Sequence, residues 1–341
     1  MARRRLALSV CAGALVAAAL AGLLLGPVAV SPLGALTVVL DRVTGLHLHT
    51  GLSSLDTAIV WQIQAPRVAL GLLVGGTLGM AGGAYQGVFR NSLADPYLLG
   101  AAAGAGLGAT VAIGAGAEGD TGPLAFVPLA AFVGALAAVA LAYLLGMRRA
   151  LRSPATLLLA GVAISSMLTA VQTFLQLRQT QTLRDVYTWI LGSLSTAGWY
   201  DTALLAPYAL VATAVLLLLR RRLDVLAVGD EEAASLGIDV TRTRFAVVAA
   251  ASLGTAAAVS VSGLIGFVGI IVPNAVRLVA GTSYRSVLPL SFLAGGAFLV
   301  LADIVARTAL SPAELPIGVV TAALGGPFFL LLLHRRAALS W

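Results

Sequence analysis

The chain has no lysine: all 21 of its basic residues are arginine. A phosphate-cradling Walker A loop needs a lysine to reach the phosphates, so this chain carries no such ATP site of its own. Schiff-base chemistry on lysine is excluded too. There is one cysteine, Cys11, so no intrachain disulfide can form. Leu8-Ser9-Val10-Cys11 is a poor lipoprotein cleavage box, because Val10 is not small and the apolar stretch before it is very short. Histidine is equally sparse, at three. His47 and His49 lie two apart with no Cys or carboxylate at ligand spacing, and His334 sits beside Arg335 and Arg336. No metal motif and no nucleophile–His–acid set emerges, which leaves an intramembrane enzyme without residues to work with. Charge of either sign is scarce, at 10% of the chain, and the mean hydropathy is +0.98. A soluble domain needs far more surface charge.

What is present is apolar sequence in long runs, with 38 glycines that allow membrane helices to approach closely. We read ten spans in an all-α bundle forming one domain over residues 1–341. The first lies near Leu6–Val28, and the second and third flank a polar hinge at residues 90–95. The fourth to sixth lie near Leu124–Met147, Ala155–Leu177 and Thr202–Leu219. The charge-free run Phe245–Val276 is 32 residues long, too long for one span, and is read as two short spans meeting near Ser262-Gly263. The ninth and tenth lie near Val287–Leu301 and Pro316–Leu333. Residues from Asp41 to Gln64 read as a polar outer segment, and Val186–Trp199 as an interfacial helix with aromatics at the headgroups. Arg3-Arg4-Arg5 before a charge-free run to Leu40 resembles a signal peptide, but the run is too long for one, so a retained span is expected.

Arginine placement supports this topology. With the N-terminus inside, sixteen arginines (3, 4, 5, 90, 148, 149, 152, 220, 221, 222, 242, 244, 277, 285, 335 and 336) fall on the cytoplasmic side. Arg42, Arg67, Arg178, Arg184 and Arg307 fall outside, as the positive-inside rule requires. The formal charge of +7 therefore sets orientation, and a nucleic-acid partner is excluded because the arginines sit at span ends.

Four stretches are more specific than a bundle needs. Gln86-Gly87-Val88-Phe89-Arg90-Asn91-Ser92-Leu93-Ala94-Asp95-Pro96 turns the chain back into the membrane. By composition it is a tight loop. Gly229-Asp230-Glu231-Glu232 through Leu236-Gly237 has the signals of a short capped helix, which alone reads equally as a solvated connector. Gly263 to Arg277 is glycine-rich with Pro273 and Asn274, a packing face with a kink. Asp303 and Arg307 stand four apart on a helix and can pair, ahead of Glu314-Leu315-Pro316.

Taken together, in this order, the stretches resemble the FecCD permease family over roughly Gln64 to His334. The family usually has proline where Ser92 stands, histidine where Asn274 stands and an arginine where Gln64 stands. The resemblance implies the permease subunit of a type II ABC importer for ferric siderophore, haem or cobalamin, ferric siderophore being the largest class. It implies a multi-pass protein of the bacterial plasma (inner) membrane, in contact with lipid and a second copy of itself. It also implies ABC ATPase subunits below and an extracytoplasmic substrate-binding protein above, with ATP and Mg on the ATPase and no cofactor on this chain. Residues 223–244 match the coupling region, with Asp230, Glu231, Glu232, Leu236, Gly237, Arg242 and Arg244 facing the ATPase. Asn91, Ser92 and Leu93 match the cytoplasmic gate turn. Arg67 and Arg307 match the positions that dock the binding protein. The competing class is a carrier driven by an ion gradient, which needs ionisable residues inside the membrane and broken helices at a central site. The break near Gly263–Pro273 is the feature that favours it.

Overall fold

The computed structural model describes residues 2–25, 31–45, 51–116, 126–146 and 154–337. His47, His49, Arg148, Arg149, Arg152 and the loop carrying Glu118 and Asp120 lie outside the described residues. In chain order the helices are α1 (Ala2–Leu24), α2 (Pro32–Thr44), α3 (Ser54–Ala58), α4 (Ala65–Phe89), α5 (Ala101–Gly114), α6 (Phe126–Gly146) and α7 (Pro154–Arg178). They continue as α8 (Leu183–Ile190), α9 (Trp199–Leu226), α10 (Asp230–Ser235), α11 (Val240–Ser262), α12 (Val268–Ala280), α13 (Tyr284–Thr308) and α14 (Ile317–Ala337). Among the described residues there is no strand, only an isolated bridge between Leu310 and Ala313.

Seven of these helices are long and apolar enough to cross a membrane, and α5, α12 and α14 are shorter apolar helices. Together they account for the ten spans. α4 is the axis of the bundle: nearly every one of its residues is buried, and α9, α11, α12 and α13 pack around it. Small residues make this possible. A Cβ on Gly75 would lie 2.2 Å from the Gly295 carbonyl oxygen, and one on Gly82 would lie 2.1 Å from that of Gly269. Backbones thus touch directly between α4 and both α13 and α12, where dispersion replaces the hydrophobic drive that lipid cannot supply.

α5 and α12 contain 14 and 13 residues, about 20 Å of helix each, short of a ~30 Å hydrocarbon core. Each is preceded by irregular backbone: a 3₁₀ turn, Pro96–Leu99, before α5 and residues 263–267 before α12. The two irregular pieces satisfy each other. The Tyr97 hydroxyl donates to the Ile265 carbonyl at 3.0 Å and accepts from the Ile265 N–H at 3.2 Å. Non-helical backbone at such depth persists only where protein covers it.

Three sequence expectations change. The outer segment from Asp41 to Gln64 is not a plain polar loop: α2 already begins at Pro32, and α3 with a π-helical turn, Ile59–Gln64, runs directly into α4. The interfacial helix before the sixth span is shorter, Leu183–Ile190, and α9 starts at Trp199. α11 breaks at Ser262-Gly263 as expected, with Gly263 at φ +68, but it starts at Val240. It is therefore a full-length span, only α12 is short, and Arg242 and Arg244 belong to its first turns.

Candidate coupling and gate site at the inner face

Between α9 and α11 the chain forms α10, six residues with Asp230, Glu231 and Glu232 in its first turn, where the helix dipole favours negative charge. Its end is a complete Schellman closure. Gly237, at φ +77, donates its N–H to the Ala234 carbonyl at 2.9 Å, and Ile238 donates to that of Ala233 at 3.0 Å. Glu231, Glu232, Leu236 and Gly237 are exposed, while Ala233 is buried against the bundle. Asp230 anchors the element: the Arg244 guanidinium donates to its two oxygens at 3.1 and 3.0 Å. Arg244 is buried, so this pair fixes the root of α11 to the start of α10. Asp239 caps α11 by accepting from the Arg242 N–H at 2.9 Å, and Arg242 itself is exposed. The two arginines expected to act as a pair thus do different things.

The turn that carries Asn91, Ser92 and Leu93 lies beside this helix. α4 ends at Phe89, and Arg90 takes φ +48. Asn91 shapes the turn: its side-chain oxygen accepts from the Leu93 N–H at 3.0 Å and its carbonyl from the Ala94 N–H at 3.0 Å. Asp95 accepts from the Tyr97 N–H at 2.8 Å and so caps the 3₁₀ turn. Burial pushes the Asp95 carboxyl up to about 6, opposed by that hydrogen bond. Asn274, on α12, donates from one amide nitrogen to the carbonyls of Ser92 and Ile270, both at 2.8 Å. The residues standing where the family has proline and histidine therefore meet, and Asn274 keeps a hydrogen-bonding role.

A second set of polar contacts links α4, α12, α13 and α9. Gln86 donates to the Gly269 carbonyl at 3.0 Å and accepts from Arg277. Arg277 lies over the Tyr284 ring, 5.6 Å from its centroid. Asp224, near the end of α9, accepts from the Tyr284 N–H and the Ser283 hydroxyl. Sequence reasoning missed Arg90, Gln86 and Asp224 as contact residues, since their partners are far away in sequence.

The outer arginines are placed differently from the expectation. Arg67 and Arg307 are 7% and 4% exposed. Arg67 is clamped by Asp303 through Nε at 3.0–3.1 Å and NH2 at 2.9 Å, and by both Glu314 oxygens at 2.9 Å. Arg307 lies 3.6 Å from Asp303 and donates to the Gly22 carbonyl at 2.7 Å. Both guanidinium groups are taken up in tying α1, α4 and α13 together, so neither is presented to an outer partner. Burial in apolar surroundings is the reason: such a cation persists only when paired.

Among the described residues no group of three or more His, Cys, Asp or Glu could hold a metal ion. A bundle of ten apolar helices, with a short acidic helix and a hydrogen-bonded turn on its arginine-rich face, is the architecture of a multi-pass membrane protein. The chain belongs to the FecCD transport family, whose model matches residues 14–335. It is similar to the cobalamin import system permease protein BtuC of Halobacterium salinarum, 44% identical over 289 residues that cover 85% of this chain and 77% of the relative. It is also similar to the hemin transport system permease protein HmuU of Yersinia pestis, 39% identical over 81% of this chain and 84% of that one. A solved structure of a candidate metal-chelate type ABC transporter in an inward-facing conformation matches with a TM-score of 0.84 and 28% identity, over 97% of this chain and 99% of that one. The chain is a multi-pass inner-membrane permease subunit with the type II ABC importer permease fold. The ion-gradient carrier reading finds no support: the break at residues 263–267 is closed by Tyr97, and the buried Asp303 is already paired with arginine.

Proposed function

We propose that this chain is the pathway-forming subunit of an ATP-driven importer whose cargo is an iron chelate, haem or cobalamin, with ferric siderophore the first to test. Two copies form the pathway, two separate ATPase subunits lie below, and an extracytoplasmic binding protein delivers cargo from above. ATP and Mg belong to the ATPase. The whole chain acts as one transmembrane domain, with residues 223–244 as its coupling segment.

The observation that carries this reading is α10. It is short, closed at its end by the Schellman turn, anchored through Asp230 to the buried Arg244, and it turns Glu231, Glu232 and Leu236 outward. A short stiff element on the inner face can take up movement of a docked subunit and pass it to the spans. Arg242, exposed beside it, adds a cation to the same surface. Asn91, Ser92 and Leu93 form the gate at the inner mouth. At the outer face the binding protein meets the exposed loop of residues 310–314, with Glu314 at its edge, while Arg67 and Arg307 hold that surface in register from beneath. Charged contacts on such a rim set docking rate and orientation more than affinity.

The test is uptake into proteoliposomes containing this chain, its ATPase and its binding protein, with labelled ferric siderophore, haem and cobalamin offered separately. ATP-dependent accumulation of one cargo supports the reading and names the cargo. Accumulation of none, with an ATPase that ignores the permease, refutes it.

A further inference from the structure

Arg90 stands where a glycine would be easier. α4 has to stop at Phe89 for the chain to turn, and the next residue adopts left-handed backbone, φ +48. A residue with a Cβ takes that conformation against a steric penalty that glycine escapes. Among the described residues only Arg90 and Phe267 do so without being glycine. The hydrogen bonds that shape the turn come from Asn91, Asp95 and the backbone, and none uses the Arg90 side chain. That side chain leaves the turn and places NH2 3.4 Å from Asp230 Oδ1. Backbone strain retained at one residue points to a use for its side chain.

We infer that Arg90 is a positioning residue: it ties the gate turn to α10 through Asp230, so that displacement of α10 is delivered to the turn and, through Asn274, to α12. The inference rests on the reading of α10 as the element that faces the ATPase. Asp230 is shared: Arg244, at the root of α11, donates to both of its oxygens, including the Oδ1 that Arg90 approaches. On the far side of the turn, Asn274 grips the Ser92 carbonyl at 2.8 Å. The Ser92 hydroxyl is buried without a hydrogen-bond partner, which leaves the turn an unused contact for a second position. The Arg90 and Asp230 side chains are 38% and 36% exposed. A pair so wetted holds weakly and can re-form as the two elements shift.

The test measures transport per ATP hydrolysed and thermal melting for the assembled complex in proteoliposomes. Arg90→Gly relieves the backbone and removes the link. Melting is expected to stay level or rise, while transport per ATP falls about two- to fivefold, the range a half-exposed ion pair supplies. Arg90→Lys, which keeps the charge, is expected to restore most of the ratio. If Arg90→Gly does not fold, Arg90→Gln gives the same comparison on an almost unchanged backbone. A ratio unchanged in the neutral variant, or a lysine variant as poor as the neutral one, overturns the role of Arg90. A wild-type complex whose transport ignores ATP instead overturns the reading of α10, which keeps the two failures apart.

Discussion

The outer and inner ends of this molecule use the same residue types differently. At the outer end Arg67, Arg307 and Asp303 are buried, with Glu314 closing the set at the surface. Around α10 at the inner end Arg244 is buried; Arg90 and Asp230 are half-exposed, and Glu231, Glu232 and Arg242 stand in solvent. A guanidinium held by two carboxylates away from water has no alternative partner, so the outer set locks three helices. A carboxylate shared between a buried and a wetted arginine can keep one contact while changing the other. Charge at the outer end is therefore locked in place, and charge at the inner end is held more loosely.

The difference can be broken from the outer side first. Asp303→Ala leaves two buried arginines short of a partner and is expected to cost about 3–5 kcal/mol, seen as loss of folded protein or a large fall in melting temperature. A mild effect would mean that the outer set is not the lock described. Asn274→Ala removes the amide that holds the Ser92 carbonyl and is expected to cost roughly 0.5–1.5 kcal/mol, with raised basal ATPase in the complex as the gate turn loosens. Glu314→Gln keeps one of the two hydrogen bonds from Arg67 and removes a partly exposed charge, for a loss of about 1 kcal/mol by melting. Glu231→Gln with Glu232→Gln is expected to shift stability by less than about 0.5 kcal/mol. It should nevertheless lower transport per ATP while leaving binding-protein docking intact. Unchanged uptake in that variant would contradict the assignment of α10.

Much of the fold could be read from residue order because its signals are local. Gly263 inside a charge-free run of 32 residues marks the break between α11 and α12, and the acidic run with Gly237 marks both ends of α10, although Asp230 is its first residue and pairs with Arg244 instead of capping it. The start of α2 was also local, as Ser31-Pro32 is a helix-opening pair that resembles the end of the preceding span just as well. The burial of Arg67 was not legible. An arginine at a span end reads as a rim residue, and its clamp, Glu314, lies 247 positions away. The same holds for Arg90 and Asp230, and for Asn274 and Ser92, which meet only after the bundle has formed. Shortness of α5 was hidden for another reason, whereas that of α12 was expected from the 32-residue run. The apolar run of α5 begins in the irregular turn Pro96–Leu99, which composition cannot separate from helix.

Uptake by the reconstituted complex, with ATP and an imposed ion gradient supplied independently, tests the assignment most directly. Accumulation of a metal chelate, haem or cobalamin that requires ATP, persists when the gradient is collapsed, and weakens in the Glu231→Gln, Glu232→Gln variant is the expected result. Accumulation that tracks the gradient and ignores ATP would contradict it.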